Sequence, residues 1–197
     1  MNKQFVLVIG GPGKSGSSTI GKMLAEHFNV DRIYGGKFFR EEAKKDGFSS
    51  VKDFLEEMPQ DEIERLDIEV DNKLREYAKR GSVLIESKTF AAIATIENIP
   101  CSSKIWLDAD LNVRVERAVK KEQIENPIYR SIRRFQIRRE LVNRYKIDKQ
   151  RYKKLYGIDY ENPKKYNDLV IDNSKQSPEE TFNLIVNFLK DAGIKKE

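Results

Sequence analysis

Residues 6–24 read VLVIGGPGKSGSSTIGKML, an apolar run that breaks into glycines and continues as an amphipathic stretch. Gly11, Gly16 and Ser18 fit the spacing G-x-x-x-x-G-K-[ST], and Gly13 and Ser15 lie inside it. In that pattern backbone N–H groups wrap a phosphate, and the helix that follows adds its partial positive charge. Ser17 stands where the pattern has its lysine. Lys14, three positions earlier, has a stem long enough to bring its ammonium back over the phosphates; the other option is that it points into solvent. Ser18 or Thr19 would present a hydroxyl to Mg²⁺. The plainer alternative is a glycine turn capping a helix, with Ser17, Ser18 and Thr19 as ordinary N-terminal polar residues. A strand before the loop and a helix after it favour phosphate binding.

A second group of chemical residues lies in the segment NPIYRSIRRFQIRRELVNRYKIDKQRYKKLYG. Residues 114–154 hold 15 Lys/Arg against 5 Asp/Glu, whereas the rest of the chain has 22 basic against 27 acidic residues. Such a block in an otherwise acidic chain points to an anionic partner. Phosphoryl transfer needs positive charge around the transferring group, and arginines supply it. On a helix Arg130, Arg134 and Arg138 share one side, and Ile128, Ile132, Phe135, Val142 and Tyr145 mark another, apolar side, as a closing lid requires. Most individual arginines of such a run serve as solvated, paired surface residues. RNA binding through interleaved Tyr and Arg ranks below the lid reading. Glu86 and Asp108 end strand-like segments, where α/β proteins place active-site groups, and each is a candidate for a Mg²⁺-bound water or a plain helix cap. Of Tyr34, Phe38 and Phe39, candidates to floor a base pocket, at least two are expected in core packing.

The elements that must position these groups follow from apolar patterning. Strand-like runs occur at 5–10, 82–86, 104–108 and 168–172, with a shorter one at 31–34. Near-continuous apolar runs suit strands buried on both faces of a parallel sheet. Helical patterns fall after the glycine loop, at 60–79 with Gly81 as the stop, and at 110–123, 127–155 and 178–191. This alternation predicts a doubly wound α/β fold. With 197 residues, 39% apolar and 35% charged, the chain suits one soluble domain. No apolar run approaches the ~20 residues that span a bilayer, and residues 1–10 carry no signal-peptide pattern. The single cysteine, Cys101, allows no internal disulfide and fits a reducing cytoplasm. The lone histidine, His27, cannot build a multi-histidine metal site and reads as an ordinary helix residue.

Five segments in order resemble the cytidylate kinases, especially their short archaeal branch: the glycine loop, DRIYGGKFFREEAKKDG at 31–47, SVLIESK at 82–88, KIWLDADLNVRVERAVKKE at 104–122 and RYKKLYGIDYENPKKYNDLVIDNS at 151–174. The resemblance implies a three-layer α/β/α P-loop NTPase fold with a parallel sheet. One domain would span 1–192, with a small helical monophosphate-binding region at about 34–80, an Arg-rich lid at about 127–160, and a fraying tail at 193–197. It implies transfer of the ATP γ-phosphoryl group to CMP or dCMP with Mg²⁺, in a cytoplasmic monomer. By position Arg40 would contact the acceptor phosphate, with Lys88, Lys37 and Tyr34 as its companions on the acceptor. Arg138, Arg139 and Arg151 would gather around the transferring group with Lys14. The chain departs from the family twice: Ser17 replaces the loop lysine, and Lys88 replaces an arginine whose planar fork matches phosphate geometry better. Both departures lower the expected rate. They keep two rivals open: a P-loop kinase for another small acceptor, and a nucleotide- or RNA-binding P-loop protein with little turnover.

Overall fold

The computed structural model describes residues 5–194. Five parallel strands form one sheet, β1 (Val6–Gly10), β2 (Asp31–Tyr34), β3 (Val83–Glu86), β4 (Ser103–Asp108) and β5 (Leu169–Asp172). Their order across the sheet is β2-β3-β1-β4-β5. The order reverses at β1: β3 pairs along one side of it and β4 along the other. Crevices at the carboxyl ends of strands around such a switch point are where open α/β sheets bind ligands.

Alternate side chains of β1 feed two cores, as a period of two requires. Leu7 and Ile9 pack with Ile20, Leu24 and Phe28 of α1 (Ser17–Phe28) and with Ile185 and Leu189 of α8 (Pro178–Asp191). Val6 and Val8 face the other way, onto Val70 and Leu74 of α4 (Gln60–Arg80) and Phe90 of α5 (Phe90–Ile96). Three layers result, as the alternation of strands and helices requires.

The expected strands and long helices are present, and Gly81 ends α4 with a left-handed φ of 75°. Two short helices have no counterpart in the sequence reading: α3 (Val51–Glu57) and α5. FAAIATI of α5 is apolar nearly all round and buried from Phe90 to Ala94, with Ile96 exposed at its end, so it carries no periodic signature. The helix α2 (Gly35–Lys45) starts directly after β2 and runs past Arg40, which sits mid-helix. The tail differs too: Ile194 packs onto the α1–α8 core, and residues 195–197 lie outside the described residues.

The basic segment is one continuous helix, α7 (Pro127–Tyr156), preceded by α6 (Leu111–Lys121). Its expected apolar side is buried only in part: Tyr145 packs beside Trp106, Tyr152 and Tyr160. Ile128, Ile132 and Phe135 are exposed, while Ile137 enters a small core with Val115 and Val119 of α6. Farther along, the buried residues of α7 are Asp148, Arg151 and Tyr152. Charges carried inward by ion pairs replace the apolar stripe that periodicity anticipates.

Candidate active site

The glycine loop leaves the central strand and is pinned from both sides. A Cβ on Gly11 would stand 2.2 Å from the Leu107 carbonyl oxygen and 2.4 Å from Ser15 Oγ. One on Gly10 would stand 2.5 Å from the Ser87 carbonyl oxygen. Both positions exclude any side chain because backbone, not a flexible tip, is in the way. Gly16 caps α1 at φ 102°, and no side chain caps this helix. Its first-turn amides, Ser17 and Ser18 among them, are thereby left to an outside acceptor, the arrangement that holds anions.

Two residues brace the loop from behind. Arg117 of α6 donates from Nη1 to the Ser15 carbonyl at 3.0 Å and to Asn173 Oδ1 at 2.9 Å. Asn173, just after β5, donates from Nδ2 to the same Ser15 carbonyl at 2.9 Å. Ser15 itself turns away from the cleft: it is fully buried, and its N–H goes to the Pro12 carbonyl at 3.1 Å. Its expected place among the phosphate-binding residues is thus a structural one.

One cleft of about 730 Å³ runs from the loop across the carboxyl ends of β1 and β3. Gly11, Gly13, Lys14, Gly16, Ser17, Ser18 and Thr19 line one end, and Tyr34, Arg40, Lys88 and Arg151 line the other. The structure therefore brings together most of the residues singled out from sequence. Lys14 is exposed at φ 68° on the cleft wall. It stands near Glu122, whose carboxyl is held below its ordinary value first by Arg133 and last by Lys14. Arg40 Nη1 donates to Tyr34 Oη at 3.1 Å and its guanidinium lies 5.3 Å from the Tyr34 ring centre. Phe39 also lines the cleft but, like Phe38, packs against the core beside α4, so two of the three aromatics serve packing as expected.

Three expectations are corrected. Lys37 projects outward and pairs with Glu41 at 3.7 Å, one turn along α2. Arg138 donates to Asn112 Oδ1 at 2.6 Å, and Arg139 is exposed with its guanidinium 6.0 Å from the Phe135 ring. Neither arginine lines the cleft, because α7 lies flat on α6 there. Arg133 and Arg134 likewise secure that contact, to Glu122 and Glu116. Asp108, read as a holder of a metal-bound water or as a cap, accepts from the N–H of Ala109 at 2.8 Å through Oδ1.

The second half of α7 does reach the cleft, through Arg144 and Arg151. Arg151 is buried and meets Asp67 at 2.9 Å and Asp148 at 3.3 Å. Lys88 Nζ donates to the other oxygen of Asp148. Burial pushes the Lys88 ammonium below its ordinary value, and Asp148 offsets part of that push. Burial raises Asp67 to about 7, with Arg151 opposing the shift. Asp71, one turn on, is raised by burial while Tyr156 Oη donates to it at 2.6 Å and Thr89 at 3.2 Å. Sequence reasoning missed Asp67, Arg117, Arg144, Asp148 and Asn173. Asp67 and Asp148 carried one readable signal, since acidic residues on core-facing helix positions must be paired.

Hard oxygen donors suited to Mg²⁺ are at hand in Ser18, Thr19 and Glu86, all on the cleft wall. No group of three or more His, Cys, Asp or Glu among the described residues could hold a metal alone. Cys101 is remote from the cleft, and burial raises its thiol to about 11. Among the described residues no helix is long and apolar enough to cross a membrane.

A parallel sheet ordered 2-3-1-4-5, with an anion-ready glycine loop after its central strand, defines a P-loop nucleotide-binding protein. The sequence pattern described as an AAA domain matches residues 9–133. The chain is 35% identical over 188 residues to the cytidylate kinase of Methanopyrus kandleri, covering 91% of this chain and 90% of that one. It is 34% identical over 181 residues to the cytidylate kinase of Methanocaldococcus jannaschii, covering 92% and 95%. Shikimate kinase from Acinetobacter baumannii, solved with shikimate, shares the fold at TM-score 0.62 and 16% identity, over 98% of this chain and 97% of that one. The chain belongs to the cytidylate kinase family: it is an ATP-dependent phosphotransferase acting on nucleoside monophosphates.

Proposed function

We propose that the protein transfers the γ-phosphoryl group of ATP·Mg²⁺ to CMP or dCMP. One observation carries the reading: a single cleft joins the uncapped first turn of α1 to a pocket walled by Tyr34, Phe39, Arg40 and Lys88. Donor and acceptor phosphates can meet there without crossing solvent, and holding reactants together supplies much of what phosphoryl transfer needs. The amides of Ser17 and Ser18 hold the β-phosphate. Lys14 and Arg144 supply positive charge near the group in transit, Arg40 binds the acceptor phosphate, and Arg151 orders the wall behind it. Tyr34 keeps Arg40 in place. Magnesium would neutralise phosphate charge when bound, and Ser18, Thr19 and Glu86 are the residues that would offer it protein oxygens. The preference for cytosine is taken from the relatives' names and from no contact in the cleft.

ADP release measured over CMP, dCMP, UMP, AMP and GMP tests the proposal. A kcat/KM at least about tenfold higher for CMP or dCMP is expected. Comparable activity on purine monophosphates, or activity only on a non-nucleotide acceptor, would refute it.

A further inference from the structure

Arg32 of β2 answers the loop's missing ammonium in an unexpected place. Its Nη2 donates to Ser18 Oγ at 2.7 Å, and its Nε donates to Glu86 Oε2 at 3.0 Å. Nη2 also reaches Glu86 Oε2. The guanidinium passes along α1 where Gly21 carries no side chain, and it stacks 4.8 Å from the centre of the Tyr34 ring. The arginine is 21% and the glutamate 16% exposed, so the pair is held mostly out of solvent. Ser18 is the hydroxyl that the loop pattern assigns to the divalent cation, and Glu86 is the carboxylate at the end of the neighbouring strand. Both line the nucleotide cleft. A fixed positive charge therefore bridges the two protein oxygens that Mg²⁺ would use, in a loop that has serine where the lysine belongs.

We propose that Arg32 is a resident cation of the nucleotide site, which holds the metal's protein donors in the free enzyme and is displaced when ATP arrives with Mg²⁺. The inference rests on the magnesium-dependent reading above. Two consequences follow from charge alone. A guanidinium beside Ser18 attracts metal-free ATP, whose charge is unscreened, and it repels a divalent ion from the same oxygens. Both effects shrink the advantage that Mg²⁺ gives to ATP binding. Coupling between metal and nucleotide is thus set by Arg32 as well as by the phosphates.

The test is the ratio of ATP dissociation constants without metal (in EDTA) and with saturating Mg²⁺, measured by calorimetry on the wild type and on Arg32→Gln. Glutamine retains hydrogen-bonding capacity toward Ser18 and Glu86 but carries no charge. The ratio is expected to widen by about tenfold or more in Arg32→Gln and to stay near the wild-type value in Arg32→Lys. A ratio unchanged within about twofold in Arg32→Gln would overturn the role of Arg32 while leaving the metal reading intact. Should Mg²⁺ leave ATP affinity unaltered in the wild type as well, the metal reading falls and this inference with it. Proton exchange at Arg32 Nε–H in the wild type gives an answer that needs no folded variant. Exchange should be slow in the free enzyme and fast with ATP·Mg²⁺; equal protection in both states would overturn the displacement.

Discussion

Lys88→Met is the perturbation that most sharply separates a pinned lysine from a free one. In the structure Lys88 is bound to Asp148, and Asp148 in turn to Arg151, which also meets Asp67. Methionine keeps the stem but removes the ammonium, leaving two buried carboxylates to share one guanidinium. Removing one partner of a buried pair costs about 3–5 kcal/mol. Two features lower that figure. Arg151 stays 3.3 Å from Asp148, and the Lys88 side chain is 23% exposed to the cleft while Asp148 is 4% exposed. A loss of about 2–3 kcal/mol is expected, read from urea midpoints at constant slope. Asp148→Asn introduced into Lys88→Met should restore most of it, giving a coupling energy on the order of 1–2 kcal/mol in the double-mutant cycle. If Lys88→Met melts within about 0.5 kcal/mol of the wild type, the pair contributes nothing to folding, and the reasoning about the wall of the cleft is refuted.

The remaining predictions concern the loop, the helix and one buried acid. Gly11→Ala forces a Cβ to within 2.2 Å of a carbonyl oxygen, so it should abolish ATP binding while the far-ultraviolet circular dichroism stays native; retained affinity would show that the loop is not pinned. Arg117→Ala removes three hydrogen bonds behind the loop and should cost about 2–3 kcal/mol of stability together with a raised KM for ATP. The double variant Arg138→Ala, Arg139→Ala should change kcat by less than about threefold, since neither side chain lines the cleft; a loss beyond about a hundredfold would mean that α7 swings over the site during turnover. Asp67 keeps its proton up to about pH 7 when folded but only up to its ordinary 3.8 when unfolded. Its contribution to stability is therefore full in acid and is lost as pH rises from about 4 through about 7. Relative to Asp67→Asn, the wild type should lose on the order of 2 kcal/mol between about pH 5 and about pH 8; an opposite trend in urea melts would show the carboxylate to be favourably paired.

The sheet was legible because buried parallel strands write themselves as near-continuous apolar runs, VLVIG and the IWL of KIWLD among them. The glycine loop was legible for a comparable reason: Gly10 and Gly11 answer backbone clashes that admit no substitute, and Gly16 answers a φ of 102°. The short helices left less trace. Five consecutive residues of α5, Phe90 to Ala94, are buried and show no period. The basic helix misled in an instructive way. Its arginines at 133, 134 and 138 look like a phosphate clamp in sequence but are spent on the contact with α6, while Arg144 and Arg151, about one and three turns past the densest part of the run, reach the cleft. Which face of α7 turns inward is decided by acidic partners on α4 and on α7 itself, Asp67 and Asp148, and no single-helix pattern contains that information. Arg32 was equally hidden. Its relevance arises only when β2, β3 and α1 meet and set it between Ser18 and Glu86.

The central claim, that one cleft accommodates donor and acceptor phosphates end to end, is tested most directly by equilibrium binding of a bisubstrate ligand, adenosine joined to cytidine through a chain of phosphates. A shared cleft predicts that this ligand binds at least about a hundredfold more tightly than ATP or CMP alone and excludes both. An affinity no better than that of ATP, with CMP still binding alongside, would contradict the account.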